Sequence, residues 1–217
     1  MKKLLFLLFM INYNLFGQTN YRIPQVLIDK GAGRVLREKT LHWFGIDYAL
    51  LKISDPKKLH DGENLKFVFC PAWSTFFDEH YSQKRISKML HIDSLIDNRS
   101  PFQTGNHLQI DEKTFIAPIP YSLSIDSINK HVAQYNLNSG SGIGVTIVLE
   151  NFNKFDAACI ANIVFFDIQT KEILWLTKIN GKAGDKGMTA FWGQGLYEVW
   201  AYFIAREFDV KRKTINF

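Results

Sequence analysis

The sequence predicts an α/β (α+β) domain, a single layered unit with a mixed or mainly antiparallel sheet and helices packed against it. Three stretches carry that expectation. Ala157 to Lys178 reads as two strands joined by a polar break at Asp167–Glu172. Ile143 to Asn151 reads as another strand just ahead of them. Met188 to Phe208 then places Phe191, Trp192, Leu196, Val199, Trp200, Phe203 and Ile204 on one broad helical stripe.

The hairpin rests on residue type as well as on its turn. Ile160, Ile163, Val164, Phe165, Phe166 and Ile168 are β-branched or aromatic, side chains that fit a pleated, packed surface. Alternation sets Ile160, Asn162, Val164, Phe166 and Ile168 on one face, and Cys159, Ala161, Ile163 and Phe165 on the other. Both faces are apolar, so this strand is expected at the centre of the sheet, covered on both sides.

The chain opens on a processing segment, a signal peptide over residues 1–17. Lys2 and Lys3 precede an apolar run from Leu4 to Ile11, and Gly17 offers the small residue a signal peptidase needs before Gln18. Leu15 is bulkier than the usual residue two positions before Gly17, which leaves the exact bond open. The run is short for a membrane span, and no cysteine lies near it to accept a lipid. Removing the segment leaves 200 residues, enough for a sizeable core, and lowers the net charge from +5 to about +3. Lys211-Arg212-Lys213 holds part of the remaining excess. No basic stripe of the kind that binds nucleic acid is visible.

Residues 18–41 read as a lead-in, broken by Pro24 and by the glycines at 31 and 33, and residues 42–217 as the domain itself. His42 to Ile53 suits a first core strand, ended by Asp55-Pro56. Pro71 fits the first turn of a helix on which Trp73, Phe76, Phe77 and Tyr81 recur at helical spacing. Ile86, Met89 and Leu90 either extend that helix or begin another. Residues 93–115 are polar and irregular apart from Leu95-Ile96 and His107–Ile110, and Pro118 and Pro120 bracket a loop. Ser124 resembles an N-cap ahead of a short helix with Ile125, Ile128, Val132 and Tyr135 on one face.

Four segments together look familiar: WFGIDY from Trp43, PAWSTFFDE from Pro71, VLENFNK from Val148 and FFDIQTKEIL from Phe165. They resemble an uncharacterised family of secreted bacterial envelope proteins, over most of the processed chain. The strand with its D-x-x-T-x-E-I-L-W hairpin is also similar to sheet domains of periplasmic lipoproteins that assemble at the outer membrane. This chain departs from those in lacking a lipid-accepting cysteine. The resemblance implies secretion and a sheet domain, and brings no chemistry with it.

Candidate chemistry is sparse. The loop Gly181 to Gly187 lies between a strand and a helix, and Lys182, Gly184, Lys186 and Gly187 are the residues by which it would bind an anion. It is not a P-loop, because Met188 follows Gly187, and ordinary turn chemistry explains the glycines equally. Asp185 would cap the same N–H groups. His80 and His91 would share a face only if one helix ran that far, and no metal-binding spacing accompanies them. Gly140-Ser141-Gly142 lacks the glycine spacing of a nucleophile elbow and precedes a strand instead of following one. Cys70 and Cys159 permit one disulfide in an oxidising compartment, with buried free thiols as the alternative. Trp43, Trp73 and Trp192 either pack in the core or line a groove. The resulting expectation is a secreted, periplasmic or extracellular protein that acts as a non-catalytic binding or envelope-assembly module. Its partner would be an unidentified envelope protein or small ligand, with no nucleic acid, cofactor or metal. A hydrolase with an unrecognised site is the alternative.

Overall fold

The computed structural model describes residues 24–54, 65–99, 115–137, 140–184 and 186–215. The processing segment, Asp55-Pro56, His107–Ile110 and Asp185 lie outside these residues. A short strand, β1 (Gln25–Ile28), and a six-residue helix, α1 (Ala32–Arg37), come first. Strands β2 (Thr40–Asp47) and β3 (Lys52–Ser54) follow. A π-helical turn at Leu65–Phe69 leads into α2 (Cys70–His80), and α3 (Gln83–Met89) succeeds it. Next come β4 (Ser94–Asp97), β5 (Ile116–Ala117) and α4 (Ile125–Ala133). The last third is regular: β6 (Ile143–Asn153), β7 (Ala158–Asp167), β8 (Ile173–Lys182) and α5 (Met188–Phe203). A second π-helical turn, Ile204–Phe208, joins α5 to α6 (Asp209–Thr214).

The described strands form one eight-stranded mixed sheet, ordered β1-β8-β7-β6-β2-β4, with β3 and β5 beside the far end of β6. Strand β6 is the divide. Its neighbours β7, then β8 and β1, run antiparallel in turn, whereas β2 and β3 lie parallel to it. Being covered on both faces, β6 is buried along its whole length and lacks the polar alternation of a half-solvated strand.

The alternation expected along β7 sorts the core into two layers. Cys159, Ala161, Ile163 and Phe165 join the larger layer, with Trp43, Phe77, Trp175, Trp200 and Phe203. Val164, Phe166 and Ile168 join the smaller one, with Phe44, Leu176 and the inner side of α4. Helices α2 and α5 cover the larger layer. Trp200 is fully buried between Trp43, Phe77 and Phe203. Helix α5 approaches the sheet closely because glycines meet there. A Cβ on Gly181 would stand 2.1 Å from the Gly195 carbonyl oxygen, and one on Gly195 would stand 2.6 Å from the Cys159 Cβ. The helix glycine, Gly195, exchanges propensity for contact.

Two boundaries differ from the sequence reading, and a third, which it left open, is decided. The described part of the lead-in, residues 24–41, belongs to the fold: β1 pairs with the edge of β8, and Ala32, Val35 and Leu36 of α1 are buried. Elements of four and six residues are too short to show a period. The strand expected over 42–53 is interrupted. A bulge at Gly45, with φ of 78°, shifts the register inside β2, and a turn after Asp47 divides β2 from β3, although both run along β6. The Asp47 carboxylate makes that turn by accepting the Ala49 N–H at 2.9 Å. Finally, α2 and α3 are separate helices, the second capped by Ser82, whose hydroxyl oxygen accepts the Arg85 N–H. Ser124 caps α4 as its type predicts, accepting the Ser127 N–H, though Ile125 lies on the exposed side.

Candidate functional site

The glycine loop sits where the sequence put it, between β8 and the start of α5. Lys182 ends β8 and is exposed, as is Lys186, and Gly187 is the N-cap of α5 with φ of 87°. Lys182, Gly184, Lys186 and Gly187 are thus brought into one loop. The cradle is partly closed, however: the Gly184 N–H donates to the Phe191 carbonyl at 3.2 Å instead of facing outward. The Ala183 N–H likewise donates to the Ala157 carbonyl at 2.8 Å.

Both cysteines are free and buried, so the bridge the sequence permits is not made. Cys70 opens α2 and Cys159 lies in β7, each packed as a small apolar side chain, and burial pushes both thiols well above their ordinary pKa. Trp43, Trp73 and Trp192 are all core residues, which leaves no tryptophan-lined groove among them. His80 Nδ1 donates to the Phe76 carbonyl and its ring stacks on the Phe76 ring, while His91 reaches Asp209 from a left-handed turn. The two histidines do not share a helix face, because α2 ends between them.

One imidazole escaped the sequence reading. His42 Nδ1 lies 2.9 Å from Asn98 Oδ1, and its Nε2 lies 3.1 Å from the point a Gly142 Cβ would occupy. The Gly140-Ser141-Gly142 turn therefore adjoins an oriented histidine.

The main polar constellation lies under α4, on the smaller core layer. The pairing registers set Asp47, Val148, Asn162 and Lys178 in one row across β2, β6, β7 and β8. Asp47 Oδ2 accepts bonds from His131 Nε2 at 2.6 Å and from the Tyr135 hydroxyl at 2.5 Å. With the Ala49 N–H on Oδ1, this wholly buried carboxylate has three donors. Burial, with the Asp47 charge beside it, holds the Tyr135 phenol well above its ordinary pKa.

Glu150, 1% exposed, is held in the same manner. Its carboxylate accepts the Asn162 side-chain amide at 3.0 Å and two contacts from Lys178 Nζ, at 2.9 and 2.8 Å. Lys178 also reaches Ser122 Oγ at 3.1 Å and the Leu123 carbonyl at 3.4 Å. Two further side chains act alike. Asn151 Nδ2 donates to the Tyr121 carbonyl at 3.2 Å. Ser54 Oγ lies 2.8 Å from the Ile119 carbonyl and 3.0 Å from Asn151 Oδ1. Residues 119–123 thus form a strap whose alternate carbonyls meet side-chain donors from β3, β6 and β8. Asn162 Oδ1 remains buried without a partner.

From sequence alone this region reads only as a proline-bracketed loop. The signal that could have found this cluster was the presence of Glu150, Asn151, Asn162 and Lys178 inside strands otherwise apolar on both faces. Among the described residues, no group of three or more His, Cys, Asp or Glu side chains is placed to hold a metal ion. No described helix is long and apolar enough to cross a membrane. No family model matches the chain, and no curated protein or solved structure matches it either.

Proposed function

We propose that the chain is a secreted envelope protein, periplasmic or extracellular, that works as a non-catalytic binding or assembly module. The observation that carries this reading is the closure of its buried acid–base groups. A general acid or base must reach a substrate proton. Asp47 spends its oxygens on Ala49, His131 and Tyr135, and Glu150 spends its own on Asn162 and Lys178. Both thiols are buried and raised in pKa, the opposite of an activated nucleophile. These groups hold the roof of the fold, and partners meet the outside. The N-terminal basic and apolar run supports export.

The hydrolase reading has one observation in its favour, the Asn98-oriented His42 beside Gly142, the residue after Ser141. Two measurements on the chain from Gln18 separate the readings: isolation of native partners from envelope fractions, and a broad panel of ester, amide and glycoside substrates. Specific retention of an envelope component without turnover is the expected result. Reproducible turnover that His42→Ala or Ser141→Ala abolishes, with folding unchanged, would overturn the binding reading. Fractionation of cells producing the full chain tests the location. Retention of the unprocessed chain in the cytoplasm would refute export.

A further inference from the structure

We propose that the end of the sheet where β6 turns into β7 docks on a membrane, its partner being a bilayer that carries anionic phospholipid headgroups. The inference rests on the binding-module reading and names the partner.

Hydrogen bonds place the parts of this end beside one another. The Ala183 N–H to Ala157 carbonyl bond joins the glycine loop to the β6–β7 turn. The Lys154 N–H donates to the Ser54 carbonyl at 2.9 Å, and Ser54 Oγ meets the strap at Ile119. Helices α2 and α5 run in the same direction, since Trp73 Nε1 donates to the Met188 carbonyl and the Tyr81 hydroxyl to the Tyr197 carbonyl further along both. Both therefore begin here, with the π-helical turn Leu65–Phe69 just ahead of α2.

What this end exposes is apolar and basic. Phe67 is 68% exposed, Val68 51%, Ile119 68% and Phe155 49%. They stand on three separate projections: the π-helical turn, the strap and the β6–β7 turn. Lys66 lies over the Phe67 ring at 5.4 Å, and Lys182 is exposed at the end of β8. Among the described residues, Lys154 and Lys186 add positive charge against the carboxylate of Asp156, and two helix N-termini add their dipoles.

That combination selects the partner. A second copy would present like charge to like charge, which opposes pairing through this end. A peptide or partner helix needs a continuous groove or strand edge, whereas separate apolar tips enter a lipid interface together. Apolar tips set among lysines suit a surface with acyl chains beneath phosphodiester charges.

The test sediments the chain from Gln18, which holds every described element, with vesicles of phosphatidylcholine alone or mixed with phosphatidylglycerol. Binding is expected only to the mixed vesicles, and high salt should release it. Lys66→Gln or Lys182→Gln should each weaken partitioning about fivefold. Phe67→Ser with Phe155→Ser should weaken it by about tenfold or more. These side chains are exposed, so an unchanged unfolding midpoint serves as the folding control. Equal binding to both vesicle types, or none to the mixed ones, overturns the lipid inference. If the chain ignores vesicles but retains an envelope protein through these residues, the lipid inference falls and the binding-module reading stands. Turnover traced to His42 would remove the binding-module reading instead.

Discussion

Replacing Lys178 by Met keeps an unbranched side chain one atom shorter and deletes its charge, which isolates what the ammonium does beneath the strap. The wild-type group gives Glu150 two contacts, at 2.8 and 2.9 Å, and ties down Ser122 and Leu123. In the variant the Glu150 carboxylate, 1% exposed, keeps only the Asn162 amide. Breaking a buried pair from one side costs about 3–5 kcal/mol, because the partner charge is left in a poorly hydrated place. Lys178 retains 16% side-chain exposure, so some water reaches the pair and the lower figure applies. A loss of about 3 kcal/mol lowers the melting temperature of a chain this size by about 6–12 °C. The assay is urea unfolding followed by tryptophan fluorescence, on Lys178→Met, Glu150→Gln and the double variant. Glu150→Gln leaves Lys178 with a neutral acceptor, and the double variant removes both charges. The double variant should therefore be more stable than the two single losses predict, with a coupling of about 1.5–3 kcal/mol. Strictly additive losses, or a Lys178→Met protein as stable as its parent, would refute the buried-pair reasoning.

Three further outcomes follow from burial and close approach. Cys70 and Cys159 should be inert to a thiol reagent in the native chain and should both react once it unfolds without reductant; no thiols on unfolding would mean that the disulfide forms. Burial raises the phenols of Tyr48, Tyr81 and Tyr135, and a pKa raised in the folded state means that stability is full below the unfolded value near 10 and falls as pH rises beyond it. Phenolate absorbance should thus show these three titrating together with alkaline unfolding, and an early, reversible titration of all the tyrosines would count against their burial. Gly181→Ala forces a Cβ to 2.1 Å from the Gly195 carbonyl oxygen and should cost about 3 kcal/mol or more, whereas Gly140→Ala meets nothing within 4 Å and should stay within about 0.5 kcal/mol of the parent in the same unfolding assay.

Long elements were legible in the sequence because their patterns average over many residues. The β7 alternation separated both core layers correctly, and the α5 stripe buries Trp192, Leu196, Val199, Trp200 and Phe203 as spaced. Ser124 announced its helix through local chemistry. Elements whose existence depends on a distant partner were not legible. β1 is four residues long and is fixed by β8, some 150 residues later in the chain. β4 is only four residues long and mostly exposed, and it forms because β2 offers an edge. The polar cluster was hidden for the same reason. Asp47 comes from a strand, and His131 and Tyr135 from a helix and the residues just after it, more than 80 residues on, so only the fold makes them one network. The glycine loop shows the reverse limit: its position was readable, but the inward turn of the Gly184 N–H toward Phe191 was not.

The polar residues under the strap have a physical reason that does not require a substrate. The larger core layer is roofed by α2 and α5, whose backbones satisfy themselves. The smaller layer is roofed by the nine-residue α4 and by the strap, which follows Pro118 and carries Pro120. A proline-bearing strap builds neither a helix nor a full ladder, so its inward carbonyls need donors from elsewhere. Ser54, Asn151 and Lys178 supply them, and Lys178 in turn requires the Glu150 charge. Glu150 would be untenable there without Lys178 and Asn162. The cluster is thus one dependency followed inward from the roof. Ser54 also links it to the exposed end, because its carbonyl accepts the Lys154 N–H beside Phe155 while its hydroxyl meets Ile119. Two of the apolar tips are therefore anchored through one buried serine. A rigid end is what docking requires, since tips already held in place lose less conformational entropy when they engage a surface.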